Sequence, residues 1–182
     1  MKTFVALLRG VNLAGKRTIA MAELRDVASD LGHAHVRTVL QSGNLVFRSS
    51  GATAAKLEMQ LEAAIAKRFG HPVDVFVRDA AVWERLIEEN PYPREARDDP
   101  AHLLLMCLKR ASSAGADDRL AAAITGPEYG RVRGANAYLV YPDGIGTSKL
   151  TAAKLEKALG CSGSARNWNT VIKLRDAAST GG

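Results

Sequence analysis

Apolar residues follow two rhythms along this chain, and the switches between them mark out short strands and helices. Residues 3–8, Thr-Phe-Val-Ala-Leu-Leu, form an apolar run without polar alternation, which predicts a strand covered on both faces. The run ends abruptly in Arg9-Gly10-Val11-Asn12. Met21, Leu24, Ala28 and Leu31 then recur at helical spacing, and Gly32 stops that helix. Residues 36–40 and 45–47 read as strands joined by the turn Gln41-Ser42-Gly43-Asn44, with glycine where a positive φ is wanted. Thr53 caps a second helix whose Leu57, Leu61, Ile65 and Phe69 share one face. Gly70 and Pro72 break it, and residues 73–77 form a fourth strand. Strand, helix, strand, strand, helix, strand is the split βαβ, or ferredoxin-like, order, complete within residues 1–78.

The second half repeats much of this rhythm. Asp79 caps a helix bearing Val82, Trp83, Leu86 and Ile87, and residues 90–100, with three prolines and five charges, read as a connection. Residues 102–108 form a strand, 116–124 a weaker helix, 129–133 and 137–141 a hairpin, and 148–159 a helix with Leu150, Leu155 and Leu159 inward. A last helix spans 169–177. The expectation is an α+β fold with two similar ferredoxin-like halves, antiparallel sheets with helices packed on them. The boundaries fall at 1–78, a helix and linker at 79–101, and a degenerate second half, an internal duplication, at 102–182.

Composition changes this picture little. The chain has 182 residues, 47% of them apolar, enough for a real core. Lys and Arg exceed Asp and Glu by 25 to 19, a balance that favours anionic partners. The apolar opening is too short for a signal core and nothing approaches a membrane span, so a cytoplasmic protein without membrane contact is expected. Cys107 and Cys161 form no ligand pattern, and Cys107 reads as a buried thiol. His33 and His35 lack a third ligand, so neither a metal nor another cofactor is expected.

Candidate chemistry gathers in three motifs. In the split βαβ topology the first and third strands are antiparallel neighbours, so the Gln41-Ser42-Gly43-Asn44 turn lies beside Arg9-Gly10-Val11-Asn12. The first helix also begins at this end, in a loop carrying Lys16. Arg9, Asn12, Lys16, Ser42 and Asn44 are the groups expected to hold an anion, with Gly10 and Gly43 admitting close backbone approach. Set against this, turn asparagines ordinarily bond backbone. The second motif, Pro142 to Lys149, places glycines before a helix N-terminus with Lys149 adding charge, but it lacks Walker spacing. The third is Arg166-Asn167-Trp168-Asn169-Thr170. Here Trp168 reads as a core anchor and Asn167 or Asn169 as a helix cap, against an Arg–Trp pair stacking on a base. No nucleophile elbow or paired acid and base is visible, so catalytic residues stay unassigned.

Together the motifs Leu8-Arg9-Gly10-Val11-Asn12, Gln41-Ser42-Gly43-Asn44-Leu45-Val46-Phe47, Asn90-Pro91-Tyr92 and Ala165-Arg166-Asn167-Trp168-Asn169-Thr170-Val171 resemble the bacterial domain-of-unknown-function family 1697. The resemblance implies an α+β fold with two ferredoxin-like halves and brings no established activity. At Thr147-Ser148 the chain departs from it, since a more basic residue is expected there. Three functions follow from the residues. The leading one is a binding module for a phosphate-bearing or other anionic ligand, a small molecule or nucleic acid. The others are an enzyme with an oxyanion site at the Arg9–Ser42 junction and a structural or oligomerising domain.

Overall fold

The computed structural model describes residues 1–12 and 18–180. Lys16, and with it the basic loop predicted before the first helix, lies outside the described residues. The first unit comprises Met1–Glu88 and Lys173–Gly182, the second Glu89–Ile172.

In the first unit, β1 (Lys2–Leu8), α1 (Met21–Asp30), β2 (Ala34–Thr38), β3 (Asn44–Ser49), α2 (Ala54–Phe69), β4 (Val75–Asp79) and α3 (Ala80–Glu88) follow one another. The sheet order is β2-β3-β1-β4, all antiparallel. Alternation along β1 explains its unbroken apolar run. Phe4, Ala6 and Leu8 face a core with Leu24, Ala28, Leu57, Leu61 and Ile65 of α1 and α2. Val5 and Leu7 occupy the opposite face and are equally inaccessible. There α3 lies against β1 and β4, with Trp83 and Leu86 buried. Each fully buried aliphatic side chain is worth about 1.5–3 kcal/mol, so the two-faced strand is the main anchor of its unit.

The second unit holds α4 (Pro93–Asp98), β5 (Leu103–Leu108), α5 (Ala116–Ala123), β6 (Tyr129–Arg133), β7 (Asn136–Val140), α6 (Ala152–Leu159), β8 (Gly163–Asn167) and the start of α7 (Trp168–Ser179). Its sheet order, β6-β7-β5-β8, reproduces that of the first. The likeness extends to single bonds. Leu8 N–H donates to Gly43 O at 2.8 Å and Arg9 N–H to Asp74 O at 3.0 Å. Leu108 donates to Ala135 O at 2.9 Å and Lys109 to Ser162 O at 3.0 Å. Thr53 and Thr151 cap α2 and α6, and Gly70 and Gly160 end them in the left-handed region. On the edge strands, the outward N–H groups of Val75 and Val77 donate to Glu62 and Glu58 at 2.9 and 2.8 Å, and Gly163 to Glu156 at 3.2 Å. These carboxylates close edges that would otherwise invite pairing with another chain.

Four expectations need correcting. The second half is not degenerate in topology: β8, absent from the sequence reading, completes it. Residues 90–100 are not a bare linker, because Pro93 starts α4, at a position where a missing N–H costs nothing. The division falls after Glu88 rather than at 78 and 101, because α3 packs on the first sheet. Residues 173–182 return to the first unit, where Arg37 of β2 donates to the carbonyl of Ala177. The helix expected from residue 148 begins at Ala152, since Thr151 and not Ser148 is its cap.

Candidate functional site

The carboxyl end of β1 and the turn before β3 do meet. Leu7 pairs with Asn44, and the Leu8–Gly43 bond continues the ladder into the turn. Gly43 has a φ of +70°, and a Cβ placed on it would lie 2.4 Å from Val11 Cγ2 and 2.9 Å from Leu8 Cβ. On that side glycine is required by its own core. Gly10, at φ +65°, has nothing within 4 Å of where a Cβ would stand. That glycine leaves open space.

The two amides are engaged within the motif itself, Asn12 with backbone and Asn44 with backbone and the Ser42 hydroxyl. Asn12 Oδ1 accepts from Ile19 N–H at 2.8 Å, and its Nδ2 donates to Ile19 O at 3.0 Å and Gln41 O at 2.7 Å. Asn12 thus ties together the ends of the 12–19 segment and the 41 turn, while holding a left-handed φ of 55° that asparagine tolerates. Asn44, fully buried, donates to Val39 O at 2.8 Å and Ser42 Oγ at 2.9 Å. Arg9 is different: its side chain is 36% exposed and stands 3.8 Å from a half-exposed Asp74 carboxylate. An exposed ion pair of that length contributes about 0–1 kcal/mol. Gln41 and Gly10 are exposed beside it. The helix expected to aim free N–H groups here has Ala20 as its cap position and Glu23 in its first turn, so α1 itself offers an anion little.

The second motif is organised by an acid. Ser148 donates its hydroxyl to Glu128 and accepts from Leu150 N–H at 2.9 Å. Thr147 bonds the carbonyl of Asp143 at 2.9 Å. The Ser148 hydroxyl, helped by backbone N–H groups and by the Lys154 charge, holds the Glu128 carboxyl below the usual carboxylate range. Lys149 is exposed beside this loop and three residues short of α6.

The third motif straddles β8 and α7. Asn167 Oδ1 accepts from Thr170 N–H at 3.0 Å and Thr170 Oγ1 at 2.9 Å, so it caps α7. Trp168 is buried and its backbone N–H donates to Pro100 O, while Asn169 is exposed. Arg166 lies opposite Leu105 in the ladder, donating to Ser164 Oγ at 2.9 Å and Ala165 O at 2.8 Å. Burial pushes its guanidinium down to about 10, which leaves it charged at neutral pH. A feature the sequence reading passed over is His102, whose Nδ1 is 2.8 Å from Asp99 Oδ2. Only an i,i+3 spacing in a Pro-flanked loop hinted at it. Among the described residues no cluster of three His, Cys, Asp or Glu side chains is placed to hold a metal, and no helix is long and apolar enough to cross a membrane.

The profile of the family described as "Protein of unknown function (DUF1697)" matches residues 1–138. The conserved bacterial protein SP0830 from Streptococcus pneumoniae has a similar solved structure. The TM-score is 0.69 at 21% sequence identity, covering 97% of this chain and 98% of that one. At that identity the likeness bears on the fold alone. No curated protein matches the chain.

Proposed function

We propose, for a chain that belongs to the DUF1697 family, a binding function: capture of a phosphate-bearing or other anionic ligand at the carboxyl end of β1. The observation that carries it is the exposure of the Arg9 guanidinium, whose side chain is 36% accessible at a strand end held firm by its neighbours. Asn12 and Asn44 brace the turns on either side, and the chain neighbour of Arg9, Gly10, is exposed with nothing within 4 Å of where a Cβ would stand. A guanidinium presents a planar fork of donors that suits phosphate and carboxylate oxygens. Gln41 is exposed in the adjoining turn, and the formal charge of +6 draws anions toward the chain. Ligands of this kind include phosphorylated metabolites and nucleic acid. In the first unit α3 covers one sheet face and α1 and α2 the other, which leaves no aromatic stacking sheet of the kind RNA-binding domains use. A small phosphorylated molecule is therefore the better fit.

One observation favours a second reading, in which the motif is only a brace: both amides bond the turns they stand in, Asn12 through backbone and Asn44 through Val39 O and the Ser42 hydroxyl. Thermal shift and titration calorimetry against nucleotides, sugar phosphates and short RNA at low salt separate the two. Binding lost in Arg9→Ala with Tm little changed supports capture. No ligand response in the parent protein, with a Tm loss in Asn12→Ala, leaves the brace alone. An RNA ligand would show an affinity falling steeply with salt through counterion release.

A further inference from the structure

Edge strand β6 carries an exposed row that no motif announced. Val132 packs on the core formed with α5 and α6, while Tyr129, Arg131 and Arg133 are exposed on the opposite side. Their register partners on β7 are Val140, Tyr138 and Asn136, so the three side chains stand on one face of the sheet at intervals of about 6.8 Å. The edge itself is closed, because the outward Val132 N–H donates to Asp117 Oδ1 at 2.7 Å. What β6 offers a partner is therefore its face and not a free ladder.

Tyr129 is held as a fixed platform. Its hydroxyl donates to Glu95 Oε1 at 2.8 Å, and Tyr92 meets its ring edge-on, with centroids 5.3 Å apart and planes at 73°. The residue is still 39% exposed. Arg131 and Arg133 make no hydrogen bond or ion pair among the described residues. That sets them apart from Arg68 and Arg78, which meet carboxylates, and from Arg110 and Arg119, which cap carbonyls. Both charges reach the Tyr92 phenol, where they pull against the rise that burial causes. Glu95 and Asp117, the carboxylates felt at the same phenol, are committed to Tyr129 and to Val132 N–H. β2, the corresponding edge strand of the first unit, has no aromatic residue and gives its Arg37 to Ala177 O and Thr180 Oγ1.

An aromatic face beside two uncommitted guanidiniums suits single-stranded nucleic acid. Bases of any identity stack on the ring, and phosphates take the forked donors. A duplex keeps its base faces closed and gains nothing from the ring. Beyond Arg131 a polar cleft of about 490 Å³ is lined by Asp117 and Asp118 with Ser112 and Ser113, and its carboxylates turn phosphate away. The path of a bound strand is thereby confined to the line of β6.

We infer that the exposed side of β6 binds single-stranded nucleic acid, stacking a base on Tyr129 and holding phosphates at Arg131 and Arg133. The site lies wholly in the second unit and does not depend on anion capture at Arg9. The test is fluorescence anisotropy of the full chain with labelled oligothymidine at low salt, beside its duplex with oligoadenosine and a labelled polyglutamate. Oligothymidine should bind in preference to both. Its log affinity should fall against log salt with a slope of about 1.4 for two phosphate contacts, and Arg131→Ser should lower that slope by about 0.7. Tyr129→Leu should weaken binding by at least about fivefold, the lower end of base–aromatic stacking. Tyr129→Phe, which keeps the ring and loses only the bond to Glu95, should retain the affinity of the parent. Arg9→Ala should leave binding unchanged. No anisotropy change at low salt, or equal binding of the duplex or of polyglutamate, overturns the inference. So does a folded Tyr129→Leu protein that binds as tightly as Tyr129→Phe, or binding lost in Arg9→Ala and kept in the Arg131→Ser, Arg133→Ser double variant.

Discussion

Replacing Gly43 by alanine separates packing from ligand chemistry at the turn beside β1. The added Cβ would lie 2.4 Å from Val11 Cγ2 and 2.9 Å from Leu8 Cβ, and both residues are at most 2% exposed, so neither has room to retreat. The left-handed φ of +70° costs a residue with a Cβ about 1 kcal/mol. Overpacking a filled core adds about 1–3 kcal/mol, for a total of about 2–4 kcal/mol. Gly10 is the control: its φ is +65° and nothing lies within 4 Å, so Gly10→Ala should cost only the backbone share, about 1 kcal/mol. At about 2–4 °C per kcal/mol for a chain of this length, Gly43→Ala should lower Tm by roughly 4–16 °C and Gly10→Ala by roughly 2–4 °C. Circular dichroism in urea gradients, with both variants compared at unchanged slope, reads the difference. Equal losses in the two variants would refute the packing account, and with it the assignment of Gly43 to the core.

Asn12→Ala removes three hydrogen bonds to backbone and a residue suited to its left-handed φ, so it should destabilise by about 2–4 kcal/mol in urea unfolding. Asn12→Gly restores only the conformational share, and full recovery in that variant would show the amide to be dispensable. His33 stacks on Phe47 with ring centroids 4.6 Å apart, and burial lowers its imidazole below the usual 6.5. The unfolded chain therefore takes up the proton first. The stability due to this group is complete above pH 6.5 and is lost as pH falls through the lower folded value. Urea midpoints should fall with acidification in the parent, and His33→Phe should flatten that slope. Glu128 follows the same sign lower on the scale: its contribution is present above the ordinary Glu value and disappears as pH drops through the depressed folded value. Ser148→Ala, by removing the chief donor, should move the Glu128 carboxyl titration upward in carbon-detected NMR.

What the sequence revealed and what it hid have physical causes that can be read residue by residue. β1 was legible because an apolar run of its length has few alternatives, and its register with the 41–44 turn followed from a topology rule. β8 was not, because Gly163-Ser164-Ala165-Arg166-Asn167 contains no β-branched or aromatic residue. Pairing with Met106, Cys107 and Leu108 and the Glu156 contact make it a strand. α4 was hidden by the prolines around it, although one of them is what starts it. The Arg9–Asn12 motif was found for its polarity, yet the partners that decide its role, Ile19 and Gln41, are remote in sequence and invisible to any local pattern.

The two sheets, alike in order and in ladder bonds, differ at their open ends. Following the ladder, Lys109 and Arg110 stand where Arg9 and Gly10 stand in the first unit. Arg110 turns its guanidinium back onto the carbonyl of Gly160, and Arg119 bonds Ala158 O at 2.9 Å, so the basic groups of the second unit close the end of α6. At the same place in the first unit a glycine leaves space beside Arg9. The pattern recurs at the opposite end, where Glu128 engages the approach to α6 while a cleft before α2 is lined by Lys2 and Ser49 without an acid. In both comparisons the second unit spends its charged side chains on itself. In the first unit the same two places carry Gly10, with nothing within 4 Å of its Cβ position, and a cleft lined by no carboxylate, and it is on the first of these differences that the proposed anion capture at Arg9 draws.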